Sequence, residues 1–341
     1  MSVPANQRKP PASADALSRH PIRMDLLDNP YGPPESVSAA FAALGQEDPA
    51  ALLPGVEERL RATSTMGMTP GGILLGAGAD ALASSLVRSR EGVPLVVFPP
   101  VGASDAVRAA AKGRDVVEVR RGPFFGVDVD QETASELPPG SVAYLMSPHD
   151  PSGAIAQAQD VVRLARTCSL VIVDERHAGF TPRTLAPLAR EFDNVAIVRS
   201  LEWWAGLSAF PVAWAAGSRK ALDSAMVDPP TTGSLIAAVA ALDDLRTVEA
   251  NARRVRDERA RLYRMLRKLS IVQPLPSWAG FVLAITELGE RDALVAGLEE
   301  RGIRVHRPDA EGLERAIRVS AGLPAETDAL KRALVEITAG M

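Results

Sequence analysis

The chain has 341 residues, 46% hydrophobic and 23% charged, with a formal net charge of -4. That length exceeds what one compact core fills and points to two domains or to one large layered domain with an appendage, while the balanced charge supplies no basic surface for nucleic acid or an anionic membrane. A small molecule is therefore the expected partner, and with a lone cysteine, Cys168, no disulfide framework is possible.

Residues 1–23 are polar and proline-rich and read as a flexible arm, with order expected from about Met24. No signal-peptide core and no apolar run near the ~20 residues of a membrane span occur, so a cytoplasmic protein is expected. The turn-dense Asn29-Pro30-Tyr31-Gly32-Pro33-Pro34 must run extended. Short apolar runs then alternate with helical patterns. They are Gly72 to Leu75 before the helix Ala79 to Arg88, Pro94 to Phe98 before Ser104 to Lys112, and Asp115 to Val119. Ser141 to Met146 precedes the helix Ala156 to Thr167, and Leu170 to Val173, Val195 to Val198 and Val212 to Ala216 follow. Such alternation predicts an α/β domain over 24–235, a mostly parallel sheet flanked by helices. Thr231 to Ser270 has helical periodicity with no Pro or Gly past its first turn and reads as a link between domains. With strands expected at Gly280 to Ile285, Ile303 to His306 and Ala316 to Val319, and helices near Arg291 to Arg301 and Ala325 to Thr338, residues 236–341 form a linking helix and a small α+β domain.

In this order the segments resemble the fold-type I pyridoxal-phosphate (PLP) aminotransferases of class I/II, most closely the histidinol-phosphate aminotransferase branch. Asn29-Pro30-Tyr31-Gly32-Pro33 is similar to that family's opening motif, and Gly76-Ala77-Gly78-Ala79-Asp80 to its glycine-rich phosphate turn. Ser147-Pro148-His149-Asp150-Pro151-Ser152-Gly153 is similar to its Asn-Pro-Asn-Asn-Pro-Thr-Gly loop, Val173-Asp174-Glu175-Arg176-His177 to its Asp-Glu-Ala-Tyr strand end, and Ile317-Arg318-Val319-Ser320 to the stretch whose arginine grips the substrate carboxylate. The resemblance implies that the large sheet is of the seven-stranded type and that the N-terminal segment reaches the other domain. It also implies a homodimer acting on a small amino-acid-like carboxylate, with Arg318, Asn29, Tyr31 and His306 around the substrate and Gly78, Ala79, Asp80 and Ser200 around an anion; Trp203 and Trp204, which depart from the family pattern, either line the same substrate region or fill the core there.

The likeness breaks at the chemistry. In the family a lysine follows the Asp-Glu strand by roughly thirty positions, inside Ser-Lys-x-x-Gly-Leu; with Gly206-Leu207 as anchor, that position is Trp203. An indole nitrogen cannot condense with an aldehyde. Glu202 stands at a phosphate-binding hydroxyl position and Pro211 at the arginine position. A carboxylate ~4 Å from a phosphate at an effective dielectric of ~20 costs on the order of 4 kcal/mol. Pro99-Pro100-Val101-Gly102 replaces the aromatic segment that stacks on the cofactor ring. The expectation from these losses is that no cofactor is used and that PLP is not covalently bound. No metal is expected, since no compact ligand pair occurs at helical spacing.

Three of the four histidines, His149, His177 and His306, fall on site positions of the resemblance. With Asp174 and Asp150 they make an acid/base set for a lyase, cyclase, dehydratase or group transfer without PLP, in which His177, Asp174, His149 and Asp150 are the catalytic candidates. Two alternatives stand beside this enzyme: a catalytically silent homologue that binds a ligand or a partner subunit, and an enzyme holding PLP or its amine form non-covalently, or an aminotransferase outright.

Overall fold

Runs of Val, Ile, Leu and Ala without polar alternation build the sheet that carries the site, because strands covered on both faces need no polar side. In the computed structural model, which describes residues 21–43, 49–62, 72–100, 104–287 and 289–340, the strands in chain order are β1 (Ile22–Met24), β2 (Gly72–Gly76), β3 (Leu95–Val97), β4 (Val116–Glu118), β5 (Val142–Met146), β6 (Leu170–Asp174), β7 (Val195–Ser200), β8 (Ala213–Gly217), β9 (Val272–Pro274), β10 (Phe281–Thr286), β11 (Ile303–Val305) and β12 (Ala316–Ser320). Seven of them form one sheet in the order β2-β8-β7-β6-β5-β3-β4. Only the β2–β8 and β7–β8 pairings are antiparallel, so the expected mostly parallel α/β architecture is present. Every residue of β5, β6, β7 and β8 is buried. Two apolar clusters on one side, around Trp214 and around Leu164, and a third around Leu82 and Tyr144 on the other, cover the faces.

The C-terminal part is an antiparallel sheet β12-β10-β9, with helices Arg291–Glu300 and Pro324–Gly340 packed on its own core around Val282 and Val319. The first described strand includes the expected Met24 at its end. Ile22–Met24 pairs in parallel with Ile303–Val305, which ties the start of the described chain to the small sheet. The stretch expected as one link from Thr231 to Ser270 is two helices, Thr232–Asp243 and Leu245–Leu266, broken at Asp244 (φ -112°, ψ 41°). The first is apolar around most of its circumference and buried, whereas the second buries only one stripe, so the two cover different surfaces and the chain turns between them. Residues 1–20 of the arm and 101–103 of the Pro99–Gly102 segment lie outside the described residues. No helix among the described residues is long and apolar enough to cross a membrane.

Candidate functional site

The carboxyl ends of β5 and β6 in the parallel sheet, where open α/β sheets bind their ligands, present Asp174 and the turn after it. Asp174 is fully buried, and its neighbour Arg176 folds back on it, Nε donating to both carboxylate oxygens at 2.9 and 2.8 Å. The Tyr144 hydroxyl donates to the same carboxylate at 2.7 Å, and the other end of Arg176 donates to Asp80 Oδ1 at 2.7 Å. Burial opposes the charge of Arg176, but Asp174 outweighs it and holds the guanidinium well above its ordinary pKa. Asp174 and Asp80 thus share one guanidinium, and the Tyr144 hydroxyl solvates the buried carboxylate.

A second charge pair lies across the cleft. From β12, Arg318 donates through Nη1 to both oxygens of Asp150 at 2.8 and 2.9 Å, and through Nη2 to the Asp25 carbonyl at 2.8 Å. Burial would lift the Asp150 carboxyl, yet the Arg318 guanidinium prevails and holds it below its ordinary value. His306 bridges backbone to backbone with Arg318; burial first, and the nearby guanidinium second, lower its pKa.

His177 stands between the two pairs. Its ring stacks on Trp203 (centroids 4.7 Å, 14°) and meets the Phe281 edge at 5.4 Å, while Arg318 lies 5.3 Å from the same Phe281 ring. Burial, against a partial counter-pull from Asp150, lowers the His177 pKa to about 4, so the imidazole is neutral near pH 7. Its Nε2 and the Arg318 Nε are both buried without a hydrogen-bond partner among the described residues. Both groups touch the Phe281 ring, and an unpaired buried polar atom costs about 1–3 kcal/mol, which a polar ligand would offset.

At the glycine-rich turn, Gly78 takes φ +114°, which an L side chain rarely adopts, and delivers the helix Ala79–Arg88. The first amide there, Ala79 N–H, points to Glu202 Oε1 at 3.3 Å. A carboxylate of the chain itself thus takes the place of an outside anion at the helix start. Burial raises the Glu202 pKa despite the opposing pull of Arg176. Ser200 Oγ accepts from Glu202 N–H at 2.9 Å, and the Trp204 indole donates to the Ser200 carbonyl at 2.6 Å.

Of the residues singled out from sequence, His177, Asp150, Arg318, His306 and Trp203 come together, and Asp174 with Asp80 lies against them through Arg176. Asn29 instead serves the scaffold: its Nδ2 donates to the Trp204 carbonyl at 2.8 Å and its Oδ1 accepts from Tyr31 N–H at 3.0 Å. Tyr31 packs on the core beneath Arg254, and Trp204 is buried in the same core. His149 is fully buried with both ring nitrogens engaged, by Ser152 Oγ at 2.8 Å and by the Pro100 carbonyl at 3.0 Å, and burial lowers its pKa well below the ordinary value. Because a carbonyl only accepts, Nε2 carries the proton and Nδ1 accepts from Ser152. Sequence reasoning missed Arg176, Tyr144 and Phe281. Arg176 left a visible signal, a charged residue at the alanine position of the Asp-Glu-Ala-Tyr pattern, whereas nothing in the sequence marks Tyr144 or Phe281.

A seven-stranded, mostly parallel sheet with its site at the strand ends, joined to a small antiparallel sheet that offers an arginine, defines a fold-type I aminotransferase architecture. The chain belongs to the aminotransferase class I and II family, which it matches over residues 30–336. It is 31% identical over 331 residues to a histidinol-phosphate aminotransferase of Roseiflexus castenholzii, covering 93% of this chain and 89% of that protein. Among solved structures it is similar to the histidinol-phosphate aminotransferase of Clostridium acetobutylicum (TM-score 0.82, 17% identity, 94% of this chain and 100% of that one). It is also similar to that of Sinorhizobium meliloti in complex with pyridoxal-5'-phosphate (TM-score 0.77, 23% identity, 98% and 96%).

These likenesses correct the expectation that no cofactor is used: the family includes a member solved with PLP, so PLP is the cofactor to test for. In the arrangement described, the side chains do not fit that group. Arg176 and Tyr144 occupy the Asp174 carboxylate, Glu202 takes the Ala79 amide, and Trp203 lies flat on His177. Seating the cofactor there requires those side chains to move.

Proposed function

We propose that this protein binds a small amino-acid-like carboxylate at Arg318 and does not carry it through amino transfer, acting as a ligand-binding homologue within its family. The Arg318–Asp150 pair carries this reading: a carboxylate of the chain is already docked on the guanidinium, both of its oxygens accepting from Nη1, so the side chain is placed to receive an acid. Ligand binding is then an exchange of one carboxylate for another, with the orphaned Nε atom of Arg318 and Nε2 of His177 available to the incoming group. The four lysines among the described residues, Lys112, Lys220, Lys268 and Lys331, are all exposed, and Lys220 pairs with Asp193 at the surface. Trp203 in the lysine register supports the same reading, and a two-fold dimer is the assembly proposed with it.

Calorimetric titration with L-glutamate and with histidinol phosphate tests this. Asp150→Asn removes the internal competitor and tightens binding about tenfold, a change of ~1.4 kcal/mol, whereas Arg318→Ala abolishes it. Formation of 2-oxoglutarate from glutamate by the protein supplied with PLP and an acceptor 2-oxo acid overturns the reading.

One observation favours a second reading. The buried, partnerless Nε2 of His177, neutral near pH 7, suits a proton acceptor, with Asp174 and Asp150 as neighbouring carboxylates, which is the acid/base enzyme expected from the sequence. Consumption of a bound acid that disappears in His177→Phe while binding persists selects this reading over the first.

A further inference from the structure

The face of the large sheet opposite Asp174 holds a cavity that the carboxylate site does not use. Side chains alternate across a strand, so Glu175 and Arg199 project away from the Asp174 face and toward the helix Leu245–Leu266. Between that helix and the turn after β6 lies a cavity of about 350 Å³. Its inner wall includes Trp204 and Trp214, both buried, and its polar lining includes Arg183, Arg199, Arg253 and Arg256 against only two carboxylates, Glu175 and Glu249.

The two carboxylates do not neutralise this set. Glu175 is committed to Arg199 (2.9 and 2.7 Å), to the Thr184 hydroxyl and to the Leu185 amide. Glu249 reaches Arg253 only at 4.0 Å, in a pair that is half open to water. Arg183 is parked on the Trp278 ring at 4.4 Å, and no side-chain hydrogen bond or ion pair holds Arg256 among the described residues. Four guanidiniums against two carboxylates leave two uncompensated positive charges around an indole-walled hollow, in a protein whose net charge is -4. Arginine pairs with planar and phosphate anions in two-pronged fashion, and indole faces favour flat apolar bodies.

We infer that this cavity is a second ligand site, for a small flat dianion such as an aryl phosphate, with Arg253 and Arg256 gripping the charged end and Trp204 and Trp214 walling the ring. It stands on residues separate from Arg318 and independent of the carboxylate-binding reading.

The test is titration of the full-length protein with phenyl phosphate, followed by calorimetry and by tryptophan fluorescence, with inorganic phosphate and phenol as probes of each half of the ligand. Phenyl phosphate binds saturably and more tightly than either half. Arg256→Ala weakens it about tenfold or more, as expected for one charge-assisted contact, and the Arg253→Ala/Arg256→Ala pair weakens it further, while circular dichroism shows the fold retained. Arg318→Ala leaves this binding unchanged. Absence of saturable binding at millimolar phenyl phosphate, undiminished binding in the double variant, or equal binding of inorganic phosphate overturns the assignment. So does loss of binding in Arg318→Ala.

Discussion

His177 sits between an indole, a phenyl edge and two guanidiniums, an environment that refuses a third positive charge. Its pKa falls from 6.5 to about 4 on folding, chiefly through burial, so the unfolded chain binds a proton that the native chain rejects. The sign follows: this contribution to stability is complete above about pH 6.5, declines as pH drops toward 4, and changes no further below that. A shift of this size corresponds to about 3 kcal/mol across the window. His177→Phe keeps the stack on Trp203 and removes the titration, so its urea-unfolding free energy changes less than that of the wild type between pH 7 and pH 4.5. Parallel pH profiles for the two proteins count against the buried neutral imidazole. Asp150 acts in the same direction at lower pH, because Arg318 holds its carboxyl below the ordinary value and that stabilisation vanishes only as pH falls through the lowered pKa.

The turn after β7 shows what an element contributes beyond its residues. Gly206 has φ +73°, and a Cβ there would come within 2.5 Å of the Gly32 carbonyl carbon and 2.6 Å of the Pro33 nitrogen. The extended segment at Asn29–Pro33 and the turn carrying Trp203 and Trp204 are pressed backbone to backbone, and the Asn29 side chain fastens them. Gly206→Ala is expected to cost roughly 2–4 kcal/mol, through both the left-handed backbone and the collision. Gly32→Ala, also left-handed (φ +68°) but with open space around it, is expected to cost about 1 kcal/mol. Equal thermal midpoints for the two variants would contradict this account. The elements themselves were legible where a short unbroken apolar run marked a strand covered on both faces, as in β5 and β6, and where helical periodicity ran cleanly, as in the helix Ala158–Thr167. They were not legible at Ile22–Met24, whose partner lies near residue 303, or at Asp244, where tertiary cover rather than local pattern turns the chain. In the site, motif order located Asp174, Asp150 and Arg318. The Asp150–Arg318 pair spans 168 positions and the Arg176–Asp80 contact 96, which no local pattern encodes, whereas Arg176 lies two positions from Asp174 and was open to a local reading.

At the scale of the molecule, the loop after β5 clasps the large sheet to the small one. Asp150 holds Arg318 of β12, Arg318 also holds the Asp25 carbonyl beside β1, and the Gly153 carbonyl accepts from Trp278 N–H at 2.8 Å. The clasp depends on close approach, because a Cβ on Gly153 (φ +72°) would sit 2.6 Å from Ser277 Cβ and 2.9 Å from its Cα. Gly153→Ala therefore cannot be absorbed by swinging one hydroxyl aside: the backbone of one part has to move, and the Arg318–Asp150 pair at the same seam lengthens with it. If this seam couples the two cores, wild-type unfolding in urea is a single event by far-UV circular dichroism and by tryptophan fluorescence, since Trp278 lies on the small-sheet side and Trp204 and Trp214 on the other. In Gly153→Ala the two curves separate, the fluorescence transition preceding the loss of helix, and carboxylate binding at Arg318 weakens because its charged neighbours no longer converge. Coincident curves at an unchanged midpoint would show instead that the cores communicate through the helix Leu245–Leu266, which packs on both.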